Sequence, residues 1–220
     1  MNVERAHGAN VAKLGIMRLQ LGWSSVPLPG CSRAVSHHDR LICGRYITIM
    51  RIIAGKFADR TLTSPNDFRV HPTAELVRGE MLRMLKPDLA GARVLDLFAG
   101  TGALGLEAIS RGARNADFVE TRPASLHALR ANIAALRLNK FTRVFKRDAL
   151  PMVAAMVADS YDVAFADPPY GSKMLDRVLE SWHTTRFSRV LAVEHARDHD
   201  LPLGDDRRRF DTSTITIYRR

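Results

Sequence analysis

The chain has 220 residues, a formal net charge of +10 and 46% hydrophobic residues. That length buries most of its apolar surface without disulfide or metal staples, and no apolar run approaches the ~20 residues of a membrane span. The excess of Lys and Arg gives a field suited to polyanions, nucleic acid first and an anionic membrane surface second, against the plainer reading of a basic but inert surface.

Residues 1–49 hold six Lys/Arg, two acids (Glu4 and Asp39) and a Pro/Ser/Gly-rich centre, GWSSVPLPGCSR. No secretory signal is visible, so this stretch reads as a loosely ordered extension, with Met50 as a candidate true start. Both cysteines, Cys31 and Cys43, fall inside it. A main body without cysteine fits a reducing cytoplasm. His195 and His199 are four apart but lack a Cys or a third His at ligand spacing, so no metal is expected.

From Met50 the punctuation is regular. MRIIAGKFADRTLTS offers two short strands around a Gly-Lys turn, a basic hairpin. TAELVRGEMLRMLK follows as a helix with Leu76, Val77, Met81, Leu82 and Leu85 on one face and Thr73 as its N-cap. Gly79 inside it costs ~1 kcal/mol relative to Ala. ARVLDLF is too short and apolar for a helix and reads as a buried parallel strand. Helices and strands then alternate: ALGLEAISRG, ADFVE, PASLHALRANIAALRL, TRVFK, LPMVAAMVA, YDVAFA, MLDRVLESW, RVLAVEH, and a β-rich tail, RRFDTSTITIYRR. The fold class is therefore α/β: a doubly wound, mostly parallel Rossmann-like sheet with helices on both faces and an antiparallel C-terminal strand.

Ligands of such sheets bind at the carboxyl ends of the strands. After the first stands DLFAGTGALG, where Gly100-x-Gly102-x-x-Gly105 lets backbone N–H groups approach a ligand at a helix N-terminus, or simply makes a tight turn. After the second stands Glu120, an acceptor for ribose hydroxyls. After the third stands Asp148, either a helix N-cap or a contact to an adenine edge. After the fourth comes Asp167-Pro168-Pro169-Tyr170. NAD-type loops need no acid at Asp96, whereas a nucleoside carrying an amino-acid ammonium benefits from one, and that cofactor is S-adenosylmethionine. A conjugated amine is a poor nucleophile. Asp167 and the Pro168 carbonyl would accept its two hydrogens and steer its lone pair toward a methyl sulfonium, held stiff by two prolines. Tyr170 offers a face for a flipped-out base.

DLFAGTGALGLEAISRGA with DPPY resembles class I S-adenosylmethionine-dependent methyltransferases. More narrowly, residues 50 to 220 resemble the RsmD family, bacterial methyltransferases of guanine N2 in 16S ribosomal RNA. His71 and Gly79 depart from the family's Arg-Pro-Thr and Val-Arg-Glu patterns, while Thr73 and Arg78 match. The resemblance implies that Gly100, Gly102, Glu120 and Asp148 hold the cofactor and Asp167 to Tyr170 hold guanine. The full cofactor set expected is Asp96, Phe98, Gly100, Thr101, Gly102, Glu120 and Asp148. Arg51, Lys56, Arg60 and Arg78 are expected to meet RNA, in ribosomal RNA or the small subunit. The chain divides accordingly into the extension 1–49, an RNA-binding hairpin and helix at 50–90, and a catalytic domain at 91–220. The competing readings are a DNA adenine-N6 methyltransferase and a non-catalytic RNA-binding protein on the same fold. An NAD-dependent oxidoreductase lacks His, Tyr-Lys or Cys chemistry opposite its glycine loop.

Overall fold

The structure is a computed structural model that describes residues 39–42, 45–48, 50–65 and 72–220. Most of the 1–49 extension lies outside what it describes, as does the side chain of Thr73, the expected cap. Within the extension, β1 (Asp39–Ile42) and β2 (Arg45–Thr48) pair antiparallel, which the sequence reading did not anticipate.

The main sheet has seven strands in the order β5-β4-β3-β6-β7-β9-β8. In chain order these are β3 (Arg93–Asp96), β4 (Asn115–Val119), β5 (Thr142–Phe145), β6 (Tyr161–Ala166), β7 (Ser188–Ala196), β8 (Asp206–Arg209) and β9 (Ser213–Arg219). The first five are parallel, β9 pairs antiparallel with β7, and β8 pairs antiparallel with β9. The tail read from sequence as β-rich is thus a closing hairpin of two strands. Helices α1 (Pro72–Met84), α2 (Lys86–Leu89), α3 (Ala103–Ser110), α4 (Pro123–Ala135), α5 (Ala149–Ala154) and α6 (Met174–Thr185) supply the connections.

The sheet is apolar on both faces, as a parallel sheet between helices must be. Val163, Phe165, Val190 and Ala192 point into one core with Val77, Met81 and Leu106; Ala164, Leu191 and Val193 point into the other with Leu175, Val178 and Trp182. On α1 the buried stripe is Val77, Met81 and Leu82, continued by Leu85 just past its end, and Leu76 is exposed instead. Position 76 falls outside the arc that 77, 81 and 85 define at 3.6 residues per turn.

The expected basic hairpin at 50–62 is not a ladder: a single bridge, Arg51 to Thr61, closes it. Its order comes from α3. The fully buried Glu107 carboxylate accepts the N–H groups of Ile53 (2.7 Å) and Ala54 (2.9 Å), with Arg111 2.8 Å away as its counter-charge. Ser110 receives the Phe57 N–H on its hydroxyl (2.9 Å) and the Lys56 N–H on its carbonyl (2.8 Å). Gly55 lies so close that a Cβ there would stand 2.0 Å from the Ser110 carbonyl oxygen, with φ at +88°. Ile52 and Leu62 are buried in the main core. Deleting this segment would therefore unsatisfy a buried carboxylate and open the core, so truncation cannot isolate an RNA-binding role.

Two glycines separate conformational need from incidental use. At Gly79 a Cβ would make an ordinary 3.4 Å contact with Ile53. Gly79→Ala should thus gain up to about 1 kcal/mol of helix stability, a rise of roughly 2–4 °C in melting temperature. Gly55→Ala should lose more than about 2 kcal/mol, through both clash and positive φ. Thermal unfolding of the two variants checks this, and a drop for Gly79→Ala as large as that for Gly55→Ala would contradict the distinction.

Candidate active site

β3 leads outward through β4 to β5, and the chain then returns to place β6 on the other side of β3. The crevice outside the carboxyl ends of such a switch point is where an open α/β sheet takes its ligand. A cleft of about 960 Å³ opens there, lined by Phe98, Glu120, Asp148 and Asp167 to Tyr170, and also by Glu194 and Ser213. Three strand-tip carboxylates and the Pro-Pro-Tyr turn named from sequence thus meet in one place.

The glycine loop works differently from its motif. Leu97 donates to the Phe165 carbonyl and Ala99 to the Val119 carbonyl, so the loop extends the sheet before it turns. Gly100 (φ +54°) faces open space, its nearest neighbour being an Arg122 nitrogen at 3.9 Å. Gly102 (φ +82°) faces inward: a Cβ there would lie 2.4 Å from Leu129. At Gly105 a Cβ would lie 2.4 Å from the Phe118 ring. A side chain at Gly102 would thus meet Leu129 in the core, and Gly102 serves left-handed backbone and close helix–sheet packing, in keeping with the tight-turn reading. Thr101 does not line the cleft; its carbonyl accepts from Asn132 Nδ2 (2.9 Å).

Glu120 is held by backbone. Its carboxylate accepts the N–H groups of Gly100 (2.9 Å), Thr121 (2.7 Å) and Arg122 (2.8 Å), which fix its orientation at the cleft wall. Asp148 caps α5 by accepting the Leu150 N–H (2.9 Å), and it remains exposed to the cleft. The N-cap reading of it therefore holds. Asp96 lies beneath the cleft, 2% exposed, accepting the Gly105 N–H (3.1 Å). Burial, with some help from the Glu120 charge, pushes its carboxyl up to about 7 against the pull of the Gly105 and Phe98 N–H groups. Asp167 is pushed well above the ordinary range by the protein packed around its carboxyl and by the charges of Glu194 and Asp96. The residue as a whole keeps contact with solvent through the cleft, which moderates that push.

These acids differ from the structural ones. Glu107, Asp117 and Asp162 each have an arginine partner, as buried or half-buried carboxylates normally do. Asp96, Asp167 and Glu194 have no Lys or Arg within 4.0 Å among the described residues. Such uncompensated clusters mark functional sites more often than structural ones. Among the described residues no group of three or more His, Cys, Asp or Glu is placed to hold a metal ion. His195 is buried between Thr216 Oγ1 and the Ala196 carbonyl, 3.0 Å from each.

Tyr170 stands half exposed at the mouth and donates its hydroxyl to Glu194 (3.0 Å). Glu194 was not among the residues expected from sequence, although LAVEH carries the same signal as the others, an acid directly after a buried apolar run. Arg122 and Arg147 also line the cleft and were missed. Of the residues expected to meet RNA, Lys56 and Arg60 are exposed. Arg51 is committed to Asp59 (2.7 Å) and Glu75 (3.1 Å). Arg78 is a correction: it is buried beside Glu107 (3.9 Å) and donates to the Arg51 carbonyl (2.6 Å), so it braces the 50–62 segment and has no surface to offer.

Because the Asp96 carboxyl is raised from 3.8 to about 7, the folded protein binds its proton more tightly than the unfolded chain. The resulting stability is complete below pH 3.8 and is lost as pH rises to about 7. Asp96→Asn, which keeps an acceptor for Gly105 without a charge, should gain on the parent across that window, by on the order of 1–4 kcal/mol at pH 8. Denaturant unfolding at pH 5 and pH 8 measures it, and a pH-independent difference would contradict the assignment.

Comparison with known proteins agrees with this architecture. Residues 50–207 match the family model described as Conserved hypothetical protein 95. The chain is 32% identical to Putative rRNA methyltransferase YlbH of Bacillus subtilis over 163 residues, 71% of this chain and 89% of the relative. It is 35% identical to Ribosomal RNA small subunit methyltransferase D of Escherichia coli K12 over 156 residues, 70% and 78% of the two chains. The solved structure of the putative methyltransferase yhhF from Escherichia coli superposes with a TM-score of 0.69 at 28% identity, covering 78% of this chain and 98% of that one. Strand order, cleft and sequence thus agree, and the chain belongs to the Conserved hypothetical protein 95 family, the RsmD family of methyltransferases.

Proposed function

We propose that this protein transfers the methyl group of S-adenosylmethionine to the exocyclic N2 of a guanine in small-subunit ribosomal RNA. The observation that carries the reading is the shared cleft: a backbone-fixed Glu120 and an exposed Asp148 on one side, Asp167-Pro168-Pro169-Tyr170 on the other. The residues suit the cofactor. Glu120 would take the ribose hydroxyls, Phe98 and Asp148 the adenine, and Gly100 leaves the loop open beside them. Its cation would enter the neighbourhood of carboxylates that have no other counter-charge.

When bound, the cofactor supplies an electrophilic methyl on a sulfonium. The protein's part is to present the amine. Asp167 accepts one hydrogen of the guanine N2. The Pro168 carbonyl, to which no hydrogen bond is made among the described residues, accepts the other. The lone pair is thereby turned out of conjugation as the N–C bond forms and the C–S bond breaks. The extra proton leaves to Asp167, whose raised affinity for protons suits it to that task, and passes to water through the cleft. The ring of Tyr170 provides the stacking surface. Exposed Lys56 and Arg60 would hold phosphates outside the cleft. No helix among the described residues is long and apolar enough to cross a membrane, and a cytoplasmic site of action fits this reading.

Incubation with labelled S-adenosylmethionine and 16S rRNA, small subunits or DNA, followed by nucleoside mass spectrometry, tests the proposal. N2-methylguanosine from one of the RNA substrates is expected. N6-methyladenine from DNA would replace the reading with the adenine enzyme.

Asp167→Ala should lower kcat at least about 10³-fold while leaving cofactor affinity within a few-fold, because its contact is made in the transition state. Tyr170→Phe should cost about tenfold, since the hydroxyl holds Glu194, and Tyr170→Ala more than about 100-fold once stacking is lost. Steady-state kinetics with calorimetry separates these. Asp167→Ala turnover within tenfold of the parent would remove Asp167 from the mechanism.

Replacing Lys56 and Arg60 together by Ala should weaken RNA binding and reduce the slope of log K against log salt by up to about 2. An unchanged slope would make this segment packing alone.

A further inference from the structure

We infer that Glu194 and Ser213 read the guanine base itself, completing with Asp167 a row that matches its Watson–Crick edge. The inference rests on the guanine reading above and adds how that base is chosen. β6 and β7 pair in parallel as far as Ala166 and Val193, so the next residues, Asp167 and Glu194, stand side by side. β7 and β9 pair antiparallel with Glu194 opposite Ile215 and Ala196 opposite Ser213, so Ser213 lies diagonally across from Glu194. Residues in register share a face, and the pleat repeats every two residues. Asp167, Glu194 and Ser213 therefore lie on one face of three adjacent strands, about 4.8 Å apart from strand to strand. All three line the same cleft.

The chemistry of the row is specific. The guanine edge presents two donors, N2–H and N1–H, and then the acceptor O6. Asp167 and Glu194 are acceptors. The Glu194 carboxylate is oriented by the Tyr170 hydroxyl, which donates to Oε1 (3.0 Å). Ser213 Oγ is buried within reach of the Glu194 carboxylate and the Tyr170 hydroxyl, and it completes no well-formed hydrogen bond with either. A buried hydroxyl so poorly satisfied is costly, and its hydrogen is available to O6. Adenine would set its bare N1 against the Glu194 carboxylate, and its amine against the Ser213 hydroxyl where O6 would lie. The row thus distinguishes guanine from adenine, which the Asp-Pro-Pro-Tyr turn alone does not.

The test uses 2-aminopurine, which keeps the 2-amine but lacks N1–H and O6. Small ribosomal subunits are prepared by splint ligation with guanine or 2-aminopurine at the nucleotide the parent methylates. The two compete for one enzyme preparation. The parent should prefer guanine by at least about 100-fold in kcat/KM, because the analogue leaves buried polar groups unpaired. Glu194→Gln can donate to a bare N1 as well as accept, so the preference should shrink at least about tenfold. Ser213→Ala should shrink it several-fold by removing the O6 donor. A loss of overall stability would slow both substrates alike and leave the ratio unchanged, so a parental ratio in both variants overturns the inference. Equal methylation of guanine and 2-aminopurine by the parent also overturns it, while leaving the guanine-N2 reading intact. Failure of the parent to make N2-methylguanine at all would remove that reading first.

Discussion

Three carboxylates without a cationic partner, Asp96, Asp167 and Glu194, are concentrated at the carboxyl edge of the sheet, and the rest of the site is arranged around that cost. Burial raises the proton affinity of a carboxyl and nearby like charges add to it; Asp96 shows this with Glu120, and Asp167 with Glu194 and Asp96. Elsewhere the same chain places an arginine on each half-buried acid. The contrast indicates that the missing charge is to be supplied from outside. In the proposed function, a sulfonium with its ammonium and a base whose edge offers N–H donors would supply it in complementary halves of one cleft.

The scaffold keeps these acids in place with bonds that are not themselves chemical. The parallel register of β3, β4, β6 and β7 sets the spacing of their tips. Glu120 spends three hydrogen bonds on the backbone, so it arrives at the cleft already oriented. On the opposite end of α3, Glu107 and Ser110 bind the 50–62 segment through its backbone N–H groups, and Arg78 seals it from behind. The one polar platform that precedes the sheet is thereby tied to the helix that begins at the glycine loop. Movement of that loop and placement of Lys56 and Arg60 share a single rigid support.

Much of this was legible in the sequence because it depends on period and order. Apolar runs bounded by glycine gave the parallel strands, and an acid at the end of each gave Glu120, Asp148 and Asp167 in register. Glu194 follows the apolar run of β7 in the same way, although the strand continues to Ala196. It escaped because LAVEH lies far along the chain from DPPY, and only the β6–β7 pairing makes them neighbours. Gly102 and Arg78 were read as ligand contacts because a motif does not say which way a residue faces. Leu129 behind Gly102 and Glu107 beside Arg78 come from other elements of the fold. Leu76 was misplaced for a simpler reason, since its position on the helix lies just past the buried arc. The basic hairpin failed as a strand pair because Ser110 and Glu107, about fifty residues away, take the backbone groups a ladder would have used.

The account's central claim is that one cleft, between Glu120 and Asp167, takes both cofactor and base. The most direct measurement is a crystal structure of the protein with S-adenosylhomocysteine and a guanosine nucleotide. The account predicts ribose hydroxyls on Glu120, adenine against Phe98 and Asp148, and the sulfur directed toward Asp167, with guanine between Asp167 and Tyr170. A cofactor product bound elsewhere, or bound here with its sulfur turned away from Asp167, would contradict it.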